Sequence, residues 1–521
     1  MRRRSLAPVT LLLVALVAAC AIGPGYHRPN VQPPPQYLAP SSSEDSLKAT
    51  YDELGASRDS MARRTPDTTE SMADAESHAE PHPSFLSSDA NTTVSWFDLF
   101  QDTVLKQLVI TAINDNRDVR VAAATVEEYQ ADLRGATAQL FPAFTVTGQS
   151  GRLKESFGSS FTIPPQNYLE ALGNVSWELD FWGRLRNART EARANLLAQE
   201  QSRRSVLLSL VGNVATGYLQ LRQLDLDLDI AKRTLESRQE TYRLSQDKFN
   251  RGAIAELDLR QFEGDVGDAA ASVATYQKDV QQTENQLSLL LGRSPAPIPR
   301  GRPLNDVLNA IDLPVGIPAQ LLERRPDVRA AEADLQAATA AVGVAIDARL
   351  PTISITGDWG FENFSATRYI PQGQFITPSN QIYQVYAGVS IPIFDFGVLA
   401  SAQHAAQARV TEARNTYEKA VLTALHDVNN YLAEVRSDRQ QTVALQAEVQ
   451  ALRIAYRLSR DKYEAGYAPY LDVLTAQRSL FTAEQSLVAA EFQALAGVVD
   501  LYQSLGGGWP MPTSGSATPG H

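Results

Sequence analysis

Tyr242-Arg-Leu-Ser-Gln-Asp-Lys248 recurs 214 positions later as Tyr456-Arg-Leu-Ser-Arg-Asp-Lys462. The same offset carries Gly292 onto Gly506. Upstream, Asp118-Val119-Arg120 returns as Asp327-Val328-Arg329 and Pro142 as Pro351, both at an offset of 209. A solenoid repeat is about 20–50 residues long. This repeat is far longer, so the chain is a duplicated half-domain, and its fold is whatever two such halves build.

Each half reads as helix, two strands, long helix, turn, helix. The first helices are expected over residues 103–139 and 318–349, stopped by the Phe141-Pro142 and Leu350-Pro351 steps. The long helices are expected over 183–249 and 397–463. Apolar residues recur every seventh position: Leu207, Val214, Leu221, Leu228, Leu235, Tyr242 and Phe249, then Val421, Val428, Val435, Val449, Tyr456 and Tyr463, with Thr442 in series. A sustained heptad predicts coiled-coil packing. At 1.5 Å per residue such helices extend roughly 100 Å. Each turns at a glycine, Gly252 or Gly466, and Asp258 and Asp472 are expected to cap the returning helices.

The strands are expected over 142–151, 168–180, 351–362 and 381–394. Ile353, Ile355, Trp359 and Phe361 share one face, with Thr352, Ser354, Thr356 and Asp358 on the other. Tyr383, Val385, Val389, Ile391 and Ile393 oppose Gln384, Tyr386 and Ser390. The first half repeats the alternation, with Phe144 and Val146 against Thr145 and Thr147, and Leu169, Val175, Trp177 and Leu179 against Glu170, Asn174, Ser176 and Glu178. Such alternation suits a transmembrane β-barrel and also a half-buried soluble sheet. Four strands cannot close in lipid without leaving unpaired backbone. Two chains would supply eight strands and a filled barrel, and three would supply twelve and leave a lumen.

The N-terminus bears on the compartment. Arg2, Arg3 and Arg4 precede an apolar stretch over residues 6–19, as in a secretory signal. Cys20, the only cysteine, follows Val17-Ala18-Ala19 and resembles a lipobox whose cysteine is acylated. Residues 1–19 then form the signal peptide and 20–95 a lipidated segment. Within it, residues 41–93 are a polar insert that reads as a solvated tether. The residue after Cys20 is Ala21, not aspartate, which favours the outer membrane as destination. Repeats occupy 96–300 and 301–508, with a tail over 509–521. Net charge is −12, and basic residues are dispersed, so nucleic acid is not an expected partner. The six histidines, His27, His78, His82, His404, His426 and His521, have no metal-ligand spacing. With no phosphate loop or nucleophile motif, no enzyme, cofactor or metal is expected.

The chain resembles the TolC-type outer-membrane efflux proteins, in the NodT-like and OprM-like lipoprotein branch that serves resistance-nodulation-division (RND) pumps. The marks are Cys20-Ala-Ile-Gly-Pro-Gly-Tyr-His-Arg-Pro29, the Trp96-Phe97 opening, Asp118-Val119-Arg120 with Arg325-Pro326-Asp327-Val328-Arg329, Leu179-Asp180-Phe181-Trp182-Gly183 with Ile393-Phe394-Asp395-Phe396-Gly397, and the two glycine turns. The resemblance implies a homotrimer: a 12-stranded β-barrel in outer-membrane lipid, continuous with a periplasmic barrel of twelve helices, docked to a periplasmic adaptor and an inner-membrane pump. It implies adaptor contact at Arg251, Gly252, Ala253 and Ile254, and at Ala465, Gly466, Tyr467 and Ala468. It also implies a gate at the same periplasmic end. Alignment puts Asn430 where relatives carry an acid, with Asp427 and Glu434 on neighbouring helix faces. The same tube would serve type I protein secretion or metal export. A lipid-anchored coiled-coil scaffold with a soluble sheet is a further reading. The offset grows from 209 to 214 across the second strand pair, which places a loop about five residues longer, within 363–380 against 154–167, where surface loops vary.

Overall fold

The computed structural model describes residues 23–29, 101–154, 156–157, 161–162, 165–310, 324–364, 368–369, 375–376 and 379–507. Cys20, the Trp96-Phe97 opening, the 41–93 insert, the tail and much of the longer loop lie outside them. The described residues divide into two compact units, each drawing on both repeats: those within 1–31, 117–207 and 326–422 form one, and the remaining described residues the other.

The first unit holds the sheet. Helix α2 (Arg117–Ala138) leads into β1 (Ala143–Leu153), the short strands β2 (Ser156–Phe157) and β3 (Phe161–Thr162), and β4 (Gln166–Leu179). In the second repeat α6 (Pro326–Asp347) leads into β5 (Thr352–Phe364), β6 (Arg368–Tyr369), β7 (Phe375–Ile376) and β8 (Ser379–Ser390). The four long strands form one antiparallel sheet in the order β1-β4-β5-β8. Strand β8 ends at Ser390, short of the expected residue 394, because β5 begins at Thr352 and offers no partner beyond it. No described helix is long and apolar enough to cross a membrane.

The second unit is helical. It contains α1 (Thr103–Asp115), most of α3 (Arg184–Asn250), α4 (Glu256–Leu290), α5 (Leu304–Ala310), most of α7 (Val398–Glu464) and α8 (Tyr470–Ser504). Both long helices have 67 residues and both return helices 35. The heptad positions Val214, Leu221, Val421, Val428, Val435, Thr442 and Val449 are buried, as coiled-coil packing requires.

Several helix ends differ from expectation. The helix expected over 103–139 is broken at Asn116, whose extended backbone ends α1. The Asn116 side chain instead donates to the Leu290 carbonyl at the end of α4, 2.9 Å away. Asparagine readily makes such side-chain-to-backbone bonds in place of helix continuation. The return helices are not capped by Asp258 and Asp472. Their N-caps are Ala255 and Pro469, neither with a side-chain cap bond. The two aspartates lie inside the first turn of α4 and α8, where a carboxylate favours the helix dipole. Of the helix expected over 318–349, residues 326–347 form α6, and residues 318–323 fall outside the described set. Helix α5 is additional to the expected elements.

A buried polar hub organises the start of the helical unit. Asp102 caps α1, its Oδ1 accepting from the amides of Val104 (2.8 Å) and Leu105 (3.3 Å). Its Oδ2 accepts from the Tyr218 hydroxyl (3.1 Å) and the Arg302 amide (3.2 Å). The Gly301 amide donates to the same hydroxyl at 2.7 Å. Burial pushes the Tyr218 phenol well above its ordinary range, so it stays a neutral donor. A Cβ on Gly301 would collide with the Asp102 carboxylate, which its four bonds hold in place, so only glycine fits there. Nearby, Arg300 grips Asp225 through two bonds of 2.9 Å.

Asp102→Ala removes a helix cap and strands the Tyr218 and Arg302 donors. It should cost about 2–4 kcal/mol in thermal unfolding, and Tyr218→Phe less, about 1–2 kcal/mol. Asp227 and Asp347 are buried, each with one carboxylate oxygen lacking a partner among the described residues, and burial pushes both up to about 6. Raised carboxyls favour the folded state when protonated. Stability should therefore fall as pH rises from about 4 to about 6, by on the order of 2 kcal/mol per group. Melting profiles of Asp227→Asn with Asp347→Asn should be flatter over that window; an unchanged slope would exclude both groups as its source.

Candidate functional site: the strand faces and the hairpin turns

The sheet sorts its side chains by face. One row across the four strands reads Val146, Gly173, Trp359, Tyr383, and the next reads Phe144, Val175, Gly357, Val385. The opposite face carries Thr145, Asn174, Asp358, Gln384 in register, with Gln149, Glu170 and Glu362 in another row. The large apolar residues are bare in the single chain, with Val146 at 85% and Tyr383 at 80% exposure. In water such a face would be a liability, and in lipid it is the required outer surface. The opposite face is polar, and Asp358 with Glu170 gives it acidic character.

The junctions from strand to long helix are built twice. Asp180 accepts from the amides of Leu185 and Arg186, both at 3.0 Å. Asp395 accepts from Gly397 (3.0 Å) and Leu399 (2.7 Å). Leu399 is the repeat equivalent of Leu185, so the same amide is capped although the aspartate has moved by one residue. Trp182 donates its indole N–H to the Pro351 carbonyl at 2.7 Å, fastening β4's exit to β5's entry.

The hairpin turns lie in the helical unit. Gly252 and Gly466 have φ of +74° and +79°, the left-handed conformation that ends a helix. The following amides close each turn: Ala253 donates to the Lys248 carbonyl and Tyr467 to the Lys462 carbonyl, each at 2.9 Å. Arg251, Gly252, Ala253, Ala465, Gly466 and Tyr467 are exposed, and Ile254 and Ala468 half-buried. Leu257 and Leu471, equivalent residues just beyond the turns, are also exposed. Lys248 donates to the Tyr463 hydroxyl at 3.3 Å and sits 4.7 Å from its ring centre, joining the two hairpins.

Sequence reasoning missed a second link between the hairpins. Buried Arg238 donates to the Asp265 carbonyl (2.8 Å) and to the Asp268 carboxylate (2.9 Å). Arg478 of α8 donates to the Asp265 carboxylate at 2.8 Å. Arg238 lies three residues after Leu235 of the heptad series, and an arginine at such a seam position was the available signal.

The expected gate residues are not brought to the turns. Asp427 lies 39 residues before Gly466, about 60 Å along α7. Its carboxylate is taken by Arg325, at 3.2 Å, which also donates to the Ser504 carbonyl. Asn430 pairs with His426 at 3.1 Å, and Glu434 is exposed. A short motif does not reveal the length of helix that separates it from a turn.

The outer membrane efflux protein family profile matches residues 108–293 and 317–507. A Pseudomonas putida protein named probable efflux pump outer membrane protein TtgC is 34% identical over 419 residues, covering 80% of this chain and 85% of that one. The cation efflux system protein CusC of Escherichia coli is 33% identical over 425 residues, covering 81% and 90%. A crystal structure of CusC superposes with a TM-score of 0.71 at 30% identity, covering 84% of this chain and 99% of the other. The chain belongs to the outer membrane efflux protein family, whose trimeric channels combine a transmembrane β-barrel with a periplasmic helical barrel and form the outer-membrane exit duct of efflux systems.

Proposed function

We propose that this chain conducts small molecules passively, that an RND-type inner-membrane pump drives the flow, and that a periplasmic adaptor joins the two at the Gly252 and Gly466 turns. The observation that carries this reading is the pair of exposed turns, each followed by a bare leucine, Leu257 or Leu471. Exposed apolar residues beside a rigid turn favour a protein partner. Acylation of Cys20 would add a lipid anchor, since each buried CH₂ contributes about 0.8 kcal/mol. The duct performs no chemistry in this scheme. Its polar lining is permissive, and relatives are named for both solvent and cation efflux, so the pump selects cargo.

The turns are tested by Gly252→Arg with Gly466→Arg. A Cβ at either glycine meets no atom within 4 Å, so the cost is backbone strain of about 1–3 kcal/mol each, which leaves trimers intact. Drug efflux should fall to the level of cells lacking the channel, and unimpaired efflux would remove the adaptor assignment. The faces are tested separately. Trp359→Arg should cost about 2–4 kcal/mol of membrane stability if it lies near mid-bilayer. Asp358→Lys should leave assembly intact and lower cation preference in planar-bilayer recordings.

A further inference from the structure

The two helical hairpins of one chain, α3 with α4 and α7 with α8, are tied along a seam by polar and aromatic links. Lys248 of α3 meets the Tyr463 hydroxyl of α7 at 3.3 Å. Farther from the turns, the Ser237 hydroxyl accepts from the Gln477 side-chain amide at 3.2 Å and bonds the Tyr456 hydroxyl at 3.4 Å. Arg478 of α8 donates to the Asp265 carboxylate at 2.8 Å, and Gln485 donates to the Tyr276 hydroxyl. The rings of Phe262 and Tyr470 pack with centres 4.1 Å apart. Phe262, Asp265 and Gln477 are buried in this seam. Arg238, also buried, braces it by donating to the Asp265 carbonyl. Such a network is costly to open, because each separated buried group is left desolvated and unpaired.

In the family's trimeric helical barrel the other flank of each hairpin meets a neighbouring copy. The 214-residue offset identifies the equivalent residues on that flank. Lys248 becomes Lys462, and Tyr463 becomes the partner's Phe249, which offers a ring but no hydroxyl. Ser237 becomes Ala451, so the partner's Tyr242 and the partner's Glu263 find no hydroxyl there. Asp265 becomes Ser479 and Arg478 the partner's Gly264, so the ion pair is gone. Tyr276 and Gln485 become Ala490 and the partner's Ala271, and Phe262 and Tyr470 become Ala476 and the partner's Glu256. The bracing Arg238 becomes Leu452. Ala451, Lys462, Ser479, Glu256, Glu263 and Gly264 are all exposed in the single chain, as a flank awaiting a neighbour must be.

We propose that the two hairpins of one chain move as a single body, and that the helical barrel yields at the seams between copies. The two kinds of seam differ in what must be broken. Parting the seam within the chain separates Asp265 from Arg478 beside buried Arg238 and unpairs the Ser237, Tyr276 and Gln477 groups. Parting the seam between copies breaks a cation–ring contact at Lys462 and dispersion contacts among small side chains. Helix α4 is also softer on that flank. Gly264 and Gly267 stand where α8 carries Arg478 and Phe481, and glycine is among the poorest helix formers. A Cβ at either glycine meets no atom within 4 Å, so packing within the chain does not require them. Widening of the duct then moves each chain as a rigid wedge that carries its Gly252 and Gly466 turns together.

This inference rests on the trimeric duct and not on the adaptor assignment. It is tested by bridging one kind of seam at a time with a short bifunctional maleimide and recording purified trimers in planar bilayers. Ser237→Cys with Gln477→Cys bridges the seam within the chain and keeps the single-chain mass on a denaturing gel. Ala451→Cys with Glu263→Cys, the same positions carried across the repeat, bridges the seam between copies and gives covalent trimers. Bridging within the chain should leave conductance within about twofold of the unbridged double variant, and bridging between copies should lower it about tenfold. Single variants, which control for Cys20, should not change on treatment. An equal or larger loss from the bridge within the chain, no loss from the bridge between copies, or no bridging between copies in intact trimers would overturn the proposal and leave the duct reading standing. Silence of the unsubstituted protein would overturn both.

Discussion

Backbone hydrogen bonds in a bilayer must be satisfied in a solvent that offers none. A sheet of four strands has two edges, and in lipid each unpaired group costs several kcal/mol. No rearrangement within one chain removes the edges. Copies of the chain supply the missing partners, as in the trimeric barrels of the family. The bare aromatic face, the polar face behind it and the run after Ser390, which has no strand partner among the described residues, are all expressions of that requirement.

The repeat preserves positions more faithfully than residues. Asn116 and Arg325 stand 209 positions apart, and the carbonyls they bond, Leu290 and Ser504, stand 214 apart. One junction uses a neutral amide, and the other a charged guanidinium that Asp427 holds in place. The helix end needs a donor, and either chemistry supplies one. The capping aspartates Asp180 and Asp395 make the same point with a one-residue shift.

What was legible in the sequence follows from periodicity. Alternation along β5 and the heptads of α7 are repeated many times, so single exceptions do not hide them. The sheet faces and helix lengths could therefore be read directly. Features resting on one residue could not. The break at Asn116 depends on a carbonyl 174 residues away, and the Asp102 hub joins residues up to 200 apart. The cap positions at Ala255 and Pro469 carry no side-chain signal at all. Asp427 reads as a pore-facing acid because sequence does not reveal that Arg325 already occupies it.

The exposed edges also have a kinetic consequence. Until copies meet, each newly exported chain travels with two strand templates and a row of bare aromatics, the features that seed aggregation. Assembly is then a race between correct encounter and misassociation, and its outcome depends on protomer concentration. A protomer built this way is an intermediate in transit, vulnerable to proteolysis until its neighbours arrive.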